Sequence, residues 1–95
     1  MTDAGEPVRW TIHFSGRVQG VGFRYATERV ANGLSARGYV KNLSDGRVEL
    51  VAEGTPSELQ RLLNAVEDEM AGNIRNRQVV TSPATGEFKQ FSIRY

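Results

Sequence analysis

The sequence contains no cysteine, one histidine, one tryptophan, three prolines and no apolar run approaching membrane-spanning length. The lack of cysteine excludes disulfides, zinc–cysteine centres and thiol nucleophiles, and suits a reducing cytoplasm. His13 alone cannot make a metal site. Met1 to Pro7 are polar and lack the basic-then-apolar order of a secretory signal, so residues 1–7 read as a flexible tail on a cytoplasmic protein with no membrane partner. Basic and acidic side chains nearly cancel, 12 against 11, and the arginines are scattered instead of gathered in a run. That balance argues against general nucleic-acid binding but permits one local cationic pocket. The remaining residues, 8–95, are enough for a single domain near the small end of what folds on apolar packing alone.

The densest information lies in Gly16-Arg17-Val18-Gln19-Gly20-Val21-Gly22-Phe23-Arg24. Three glycines join a strand-like segment to a helix-like one, and an arginine follows in the first helical turn. Successive N–H groups in a glycine turn, leading into a helix N-terminus, converge several donors and a partial positive charge on one point. A guanidinium there can grip a phosphate through parallel hydrogen bonds. No Gly-Lys-Ser/Thr follows as a nucleotide P-loop requires, and Tyr25 stands where a dinucleotide fingerprint needs its third glycine. The loop is too short for a di- or triphosphate, so a single phosphoryl group, or inorganic phosphate or sulfate, is the ligand it suits.

Periodicity places this loop. Val8, Trp10, Ile12 and Phe14 alternate with polar residues as a strand with one buried face. Phe23, Ala26, Val30, Ala31 and Leu34 follow helical spacing, with a left-handed stop expected at Asn32-Gly33. Segments 37–43 and 47–53 read as a hairpin around Ser44-Asp45-Gly46, which puts Asn42 at a strand end. Thr55-Pro56-Ser57-Glu58 opens a second helix with the stripe Leu59, Leu62, Leu63, Val66 and Met70. Its last turn carries Glu67, Asp68 and Glu69, where the helix dipole disfavours negative charge. Segments 74–81, with poor alternation, and 88–95 complete the chain around a turn at residues 82–86. The order predicts an α+β, ferredoxin-like βαββαβ sandwich: an antiparallel sheet with two helices on one face, to which the terminal segment can add a fifth strand.

The glycine run, together with Gly38-Tyr39-Val40-Lys41-Asn42-Leu43-Ser44-Asp45-Gly46-Arg47-Val48-Glu49, closely resembles the acylphosphatases. The resemblance extends from about Val8 to the end and is dense across residues 16–54. It implies a small hydrolase of acyl phosphates that needs no metal or cofactor, with Arg24 and Asn42 as its catalytic pair; oligomeric state stays open, with monomer the default. Many members carry Gly-Pro-Pro-x-Ala-x-Val after the second helix, where this chain reads Met70-Ala71-Gly72-Asn73-Ile74-Arg75-Asn76.

Acyl phosphates have a good leaving group, so positioning and charge stabilisation suffice for their hydrolysis. On this reading the backbone N–H groups of Gln19, Gly20, Val21, Gly22 and Phe23, with the Arg24 guanidinium, hold the phosphoryl oxygens, and Asn42 orients the attacking water. Arg17 either assists the phosphate or sits at the rim. His13 reads as structural or solvated, and Tyr25 and Tyr39 as packing residues. Taken alone, Arg24 reads as a solvated helix residue, Asn42 as a turn former and the glycines as turn positions without a ligand. Two other functions fit the fold. One is a non-catalytic anion-binding module, against which a chain stopping at Tyr95 favours a free-standing enzyme. The other is an RNA-binding domain, which Arg47-Val48-Glu49-Leu50-Val51-Ala52-Glu53 disfavours for want of stacking aromatics.

Overall fold

Alternation decides the sheet. In the computed structural model, which describes residues 5–95, β1 (Val8–Gly16) turns Ile12 and Phe14 into the core and His13 to the opposite face. The expected tail 1–7 falls partly on residues 1–4, outside the described residues; Gly5, Glu6 and Pro7 are exposed. Then follow α1 (Phe23–Asn32), β2 (Arg37–Asn42), β3 (Val48–Gly54), α2 (Pro56–Glu69), β4 (Ile74–Pro83) and β5 (Phe91–Arg94). The strands lie in the order β4-β1-β3-β2-β5. This is the ferredoxin-like arrangement with a fifth strand added. β5 runs parallel to β2, so the sheet is mixed and not wholly antiparallel as expected.

Both helices bury one stripe against the sheet. Phe23, Ala26, Thr27 and Ala31 are the buried positions of α1; Val30, and Leu34 just beyond the helix end, are only partly covered. The buried Thr27 hydroxyl donates back to Phe23 O at 2.8 Å, which satisfies it inside the helix. Leu59, Leu62, Leu63 and Val66 fill the gap from α2, whose start is capped by Thr55 accepting from Glu58 N, with Pro56 at the first helical position. The left-handed stop expected at Gly33 is absent. Gly33 has φ −86°, and α1 ends through bonds spanning three residues, from Gly33 N to Val30 O and from Leu34 N to Ala31 O.

The acidic last turn of α2 is answered from outside the helix. Arg29 of α1 pairs with Glu69 at 2.6 Å, and Arg77 of β4 pairs with Glu67 at 2.8 Å. Residues 75–81 of β4 are exposed because the helices pack over β2, β3 and β5 and not over this edge strand, which accounts for their poor alternation.

Since β4 and β5 lie at opposite edges, residues 84–90 must cross the sheet, a span on the order of 19 Å for four strand spacings. The crossing is pinned by Glu53 on the central strand β3. Its carboxylate, 7% exposed, accepts from Thr85 N, Thr85 Oγ1, Gly86 N and Arg9 Nε. Burial alone would raise the Glu53 pKa; the Thr85 and Gly86 N–H groups, then Arg9 and the Thr85 hydroxyl, outweigh it and hold it at about 2, down from 4.5. A depressed carboxylate pKa contributes stability that is complete above the unfolded-state value and lost as pH falls from there through the folded-state value. Glu53→Gln is therefore expected to lower the unfolding free energy at pH 7 by about 1–3 kcal/mol. The deficit should narrow as pH falls below 4.5 toward about 2. Urea unfolding at pH 7 and pH 3 checks both; an equal deficit at the two pH values contradicts the assignment.

Candidate active site

The glycine run is held at both ends by the core. Phe14 near the end of β1 and Phe23 at the start of α1 pack with ring centroids 5.0 Å apart and planes tilted by 54°, and Val18 between them in sequence is fully buried. Gly16 approaches the 73–75 segment so closely that a Cβ would meet Asn73 O and Arg75 N. Arg17 N donates to Asn73 O at 2.9 Å, and Asn73 Nδ2 donates to Arg17 O at 3.0 Å, so the segment that departs from the family's proline pattern is the one that fastens this side of the loop.

Gly20 and Gly22 have φ of 76° and 80°, with open space where a Cβ would stand. Conformation, not crowding, demands glycine at both positions. Gly22 is the N-cap of α1, with no side-chain cap and no acidic residue in the first turn. Among the described residues, the N–H groups of 18–25 find no backbone acceptor, whereas Arg17 N and Ala26 N on either side do. These donors stand at the N-terminal end of the helix, where the dipole's partial positive charge also lies.

Asn42 reaches the same place from another strand. It ends β2, which lies two strands from β1 with β3 between, and the C-terminal ends of β1 and β2 lie at the same end of the sheet. Val18, Gly20, Gly22, Phe23, Arg24, Tyr25 and Asn42 line one cavity of about 190 Å³. The structure therefore brings Arg24 and Asn42 together with the glycine turn. Gln19 and Val21 belong to the loop but are not among the residues lining the cavity. A wider hollow of about 580 Å³ adjoins Asn42, bounded by the 43–47 turn and Tyr95.

Two electrostatic features distinguish the site. Arg24 makes no ion pair among the described residues; its guanidinium lies 4.8 Å from the centre of the Tyr95 ring. Asn42 Oδ1 is buried without a hydrogen-bond partner. A free cation and an unpartnered acceptor in one cavity suit an anion and a donor such as water.

The turn after Asn42 is well fixed. Asp45 accepts from Arg47 N and Arg47 Nε, and these contacts, the backbone one first, hold its carboxyl below the usual range. Tyr25, expected to pack, lines the cavity and is 64% exposed. Tyr39 does pack: it donates to Glu49, which also bonds His13, and carries Arg94 over its ring. Arg17 is exposed, is not among the residues lining the cavity and, among the described residues, makes only the two backbone contacts with Asn73 given above. No signal in the sequence pointed to Tyr95 or to the side chain of Gln19.

Comparison with known proteins agrees with this geometry. A family model described as acylphosphatase matches residues 10–93. A protein named acylphosphatase from Paenarthrobacter aurescens (strain TC1) is 45% identical over 94 residues, covering 98% of each chain. The crystal structure of acylphosphatase from Bacillus subtilis superposes with a TM-score of 0.85 at 38% identity, over 93% of this chain and 99% of that one. Full-length HypF, in a phosphate- and nucleotide-bound form, contains a similar unit: TM-score 0.81 and 26% identity, over 95% of this chain but 12% of that one.

Proposed function

The chain belongs to the acylphosphatase family, and from that premise we propose that it hydrolyses the carboxyl–phosphate anhydride of acyl phosphates to carboxylate and inorganic phosphate at the cavity between the glycine turn and Asn42. The observation that carries the mechanism is the meeting of an unpaired Arg24, an uncapped helix N-terminus and the unpartnered Asn42 Oδ1 in one cavity.

The phosphoryl group sits against the backbone N–H groups of Gln19 to Phe23, with Arg24 on its oxygens. A water donates to Asn42 Oδ1 and attacks phosphorus opposite the acyl oxygen. The new P–O bond forms as the bond to the acyl oxygen breaks; the carboxylate leaves with that electron pair, and the water's proton passes to a phosphate oxygen. As that bond breaks, negative charge grows on the acyl oxygen while the three phosphoryl oxygens flatten into the plane they hold midway through the displacement, and the fixed N–H dipoles and guanidinium fit that arrangement without reorganising. Asn42 serves by geometry, because an amide has no basicity near neutral pH. The chain works as a monomer in the cytoplasm on a small-molecule substrate, a setting its lack of cysteine suits. Among the described residues no helix is long and apolar enough to cross a membrane.

Benzoyl phosphate, with a chelator present and a stable phosphate monoester as control, tests the reading. The anhydride should be cleaved and the monoester left intact. A folded protein that binds inorganic phosphate but leaves benzoyl phosphate whole would instead be a non-catalytic anion-binding module.

A further inference from the structure

The side chain of Gln19 performs a task that the phosphate cradle does not require. Its Nε2 donates to Leu43 O at 2.8 Å and to Arg47 O at 2.9 Å. Both partners are carbonyl oxygens, which only accept, so the amide must present its NH₂ edge to them and both of its N–H groups are committed. Those two carbonyls are the gate of the β2–β3 turn: Leu43 N donates to Arg47 O at 2.8 Å and Gly46 N to Leu43 O at 3.2 Å. Asn42 is the residue immediately before that gate, and its Oδ1 is buried without a partner to hold it.

We infer that Gln19 is a positioning residue that locks the hairpin bearing Asn42 onto the phosphate loop, so that the water-orienting amide and the anion cradle are held at one spacing by a single side chain. The inference rests on the acylphosphatase reading and deepens it. Gln19 sits between Val18, buried in the core, and Gly20 on the cavity wall. Its amide is the only side-chain bridge from residues 18–24 to residues 42–47 among the described residues. Arg47's guanidinium, by contrast, is engaged with Asp45 within the turn. Without the bridge, the loop keeps its own anchors at Phe14, Phe23 and Asn73, while the hairpin tip is free to shift relative to it.

The prediction divides the kinetic constants. Gln19→Met, which keeps length but removes both donors, should lower kcat by about 10- to 100-fold, the scale of an ångström-sized misplacement. The inhibition constant of inorganic phosphate should stay within about twofold, because Gln19 gives the cradle only its backbone N–H and Arg24 is untouched. Added to Asn42→Ala, the same substitution should cost nothing further, since a positioning residue has no effect once its client is gone. Gln19→Glu adds a pH signature. A protonated carboxyl can still donate to one carbonyl, whereas a carboxylate repels both, so its kcat relative to wild type should fall as pH rises through the carboxyl titration. Phosphate inhibition weakening in step with kcat, penalties that multiply in the double variant, or a flat Gln19→Glu ratio would each overturn the inference. Independent of turnover, the Asn42 side-chain amide resonance in folded Gln19→Met or Gln19→Glu should move while the phosphate-induced shifts of Gly20 to Arg24 persist. An unmoved Asn42 amide rejects the lock even in a chain that cleaves no acyl phosphate. That last outcome keeps its failure distinct from failure of the enzymatic reading.

Discussion

Arg24→Ala is expected to lower benzoyl phosphate turnover by at least about 10³-fold and to weaken inhibition by inorganic phosphate by at least about tenfold. The loss falls on both constants because the guanidinium meets the phosphoryl oxygens in the ground state and fits them better in the arrangement they adopt midway through the displacement. Arg24 is half-buried at the cavity wall and makes no ion pair among the described residues, only a ring contact with Tyr95. Its removal should therefore change unfolding free energy by no more than about 0.5 kcal/mol. Arg24→Lys should recover little, since an ammonium cannot reproduce two parallel hydrogen bonds to one phosphoryl group. The measurement is kcat, KM and the phosphate inhibition constant for the three proteins beside their urea midpoints. An Arg24→Ala protein with wild-type phosphate affinity would remove Arg24 from the anion site.

Features that depend on neighbours in sequence were legible before the structure. The glycine turn leading into α1 and Thr55-Pro56 at the start of α2 are local chemistry, and the apolar stripes of β1 and α2 name their own buried faces. Asn42 was legible only through the family pattern, because its arrival at the loop depends on β3 being inserted between β1 and β2.

Features created by the fold had no local signal. Glu53 looks like any polar strand residue and becomes a buried anchor only because residues 84–90 are forced across the sheet. The acidic end of α2 contradicts the helix dipole until Arg29 and Arg77 arrive from other elements. A glutamine amide carries no sign of which carbonyls it will reach, so the bridge from Gln19 to Leu43 and Arg47 had to be seen. Gly33 shows the opposite failure: a residue able to adopt a left-handed stop did not need to, because bonds spanning three residues closed the helix first.

Asn42→Ala should separate catalysis from binding and from stability in one protein. A buried acceptor without a partner costs about 1–3 kcal/mol to maintain, and Asn42 Oδ1 is such an atom. Its deletion is then expected to leave the unfolding free energy unchanged or raise it by about 1 kcal/mol, in contrast to the usual loss on truncating a half-buried residue. Turnover should fall by about 10²–10³-fold, the penalty for losing one preorganised group at a reaction centre. The phosphate inhibition constant should hold within about twofold, because the N–H groups of the loop and Arg24 remain. Asn42→Asp sharpens the argument: a carboxylate keeps an acceptor for water but brings negative charge against a phosphoryl group, so phosphate inhibition should weaken in the Asp variant alone. Steady-state kinetics and urea unfolding of both variants decide it. Full activity in Asn42→Ala would remove the water-orienting role; loss of phosphate affinity in step with turnover would make Asn42 part of the anion cradle instead.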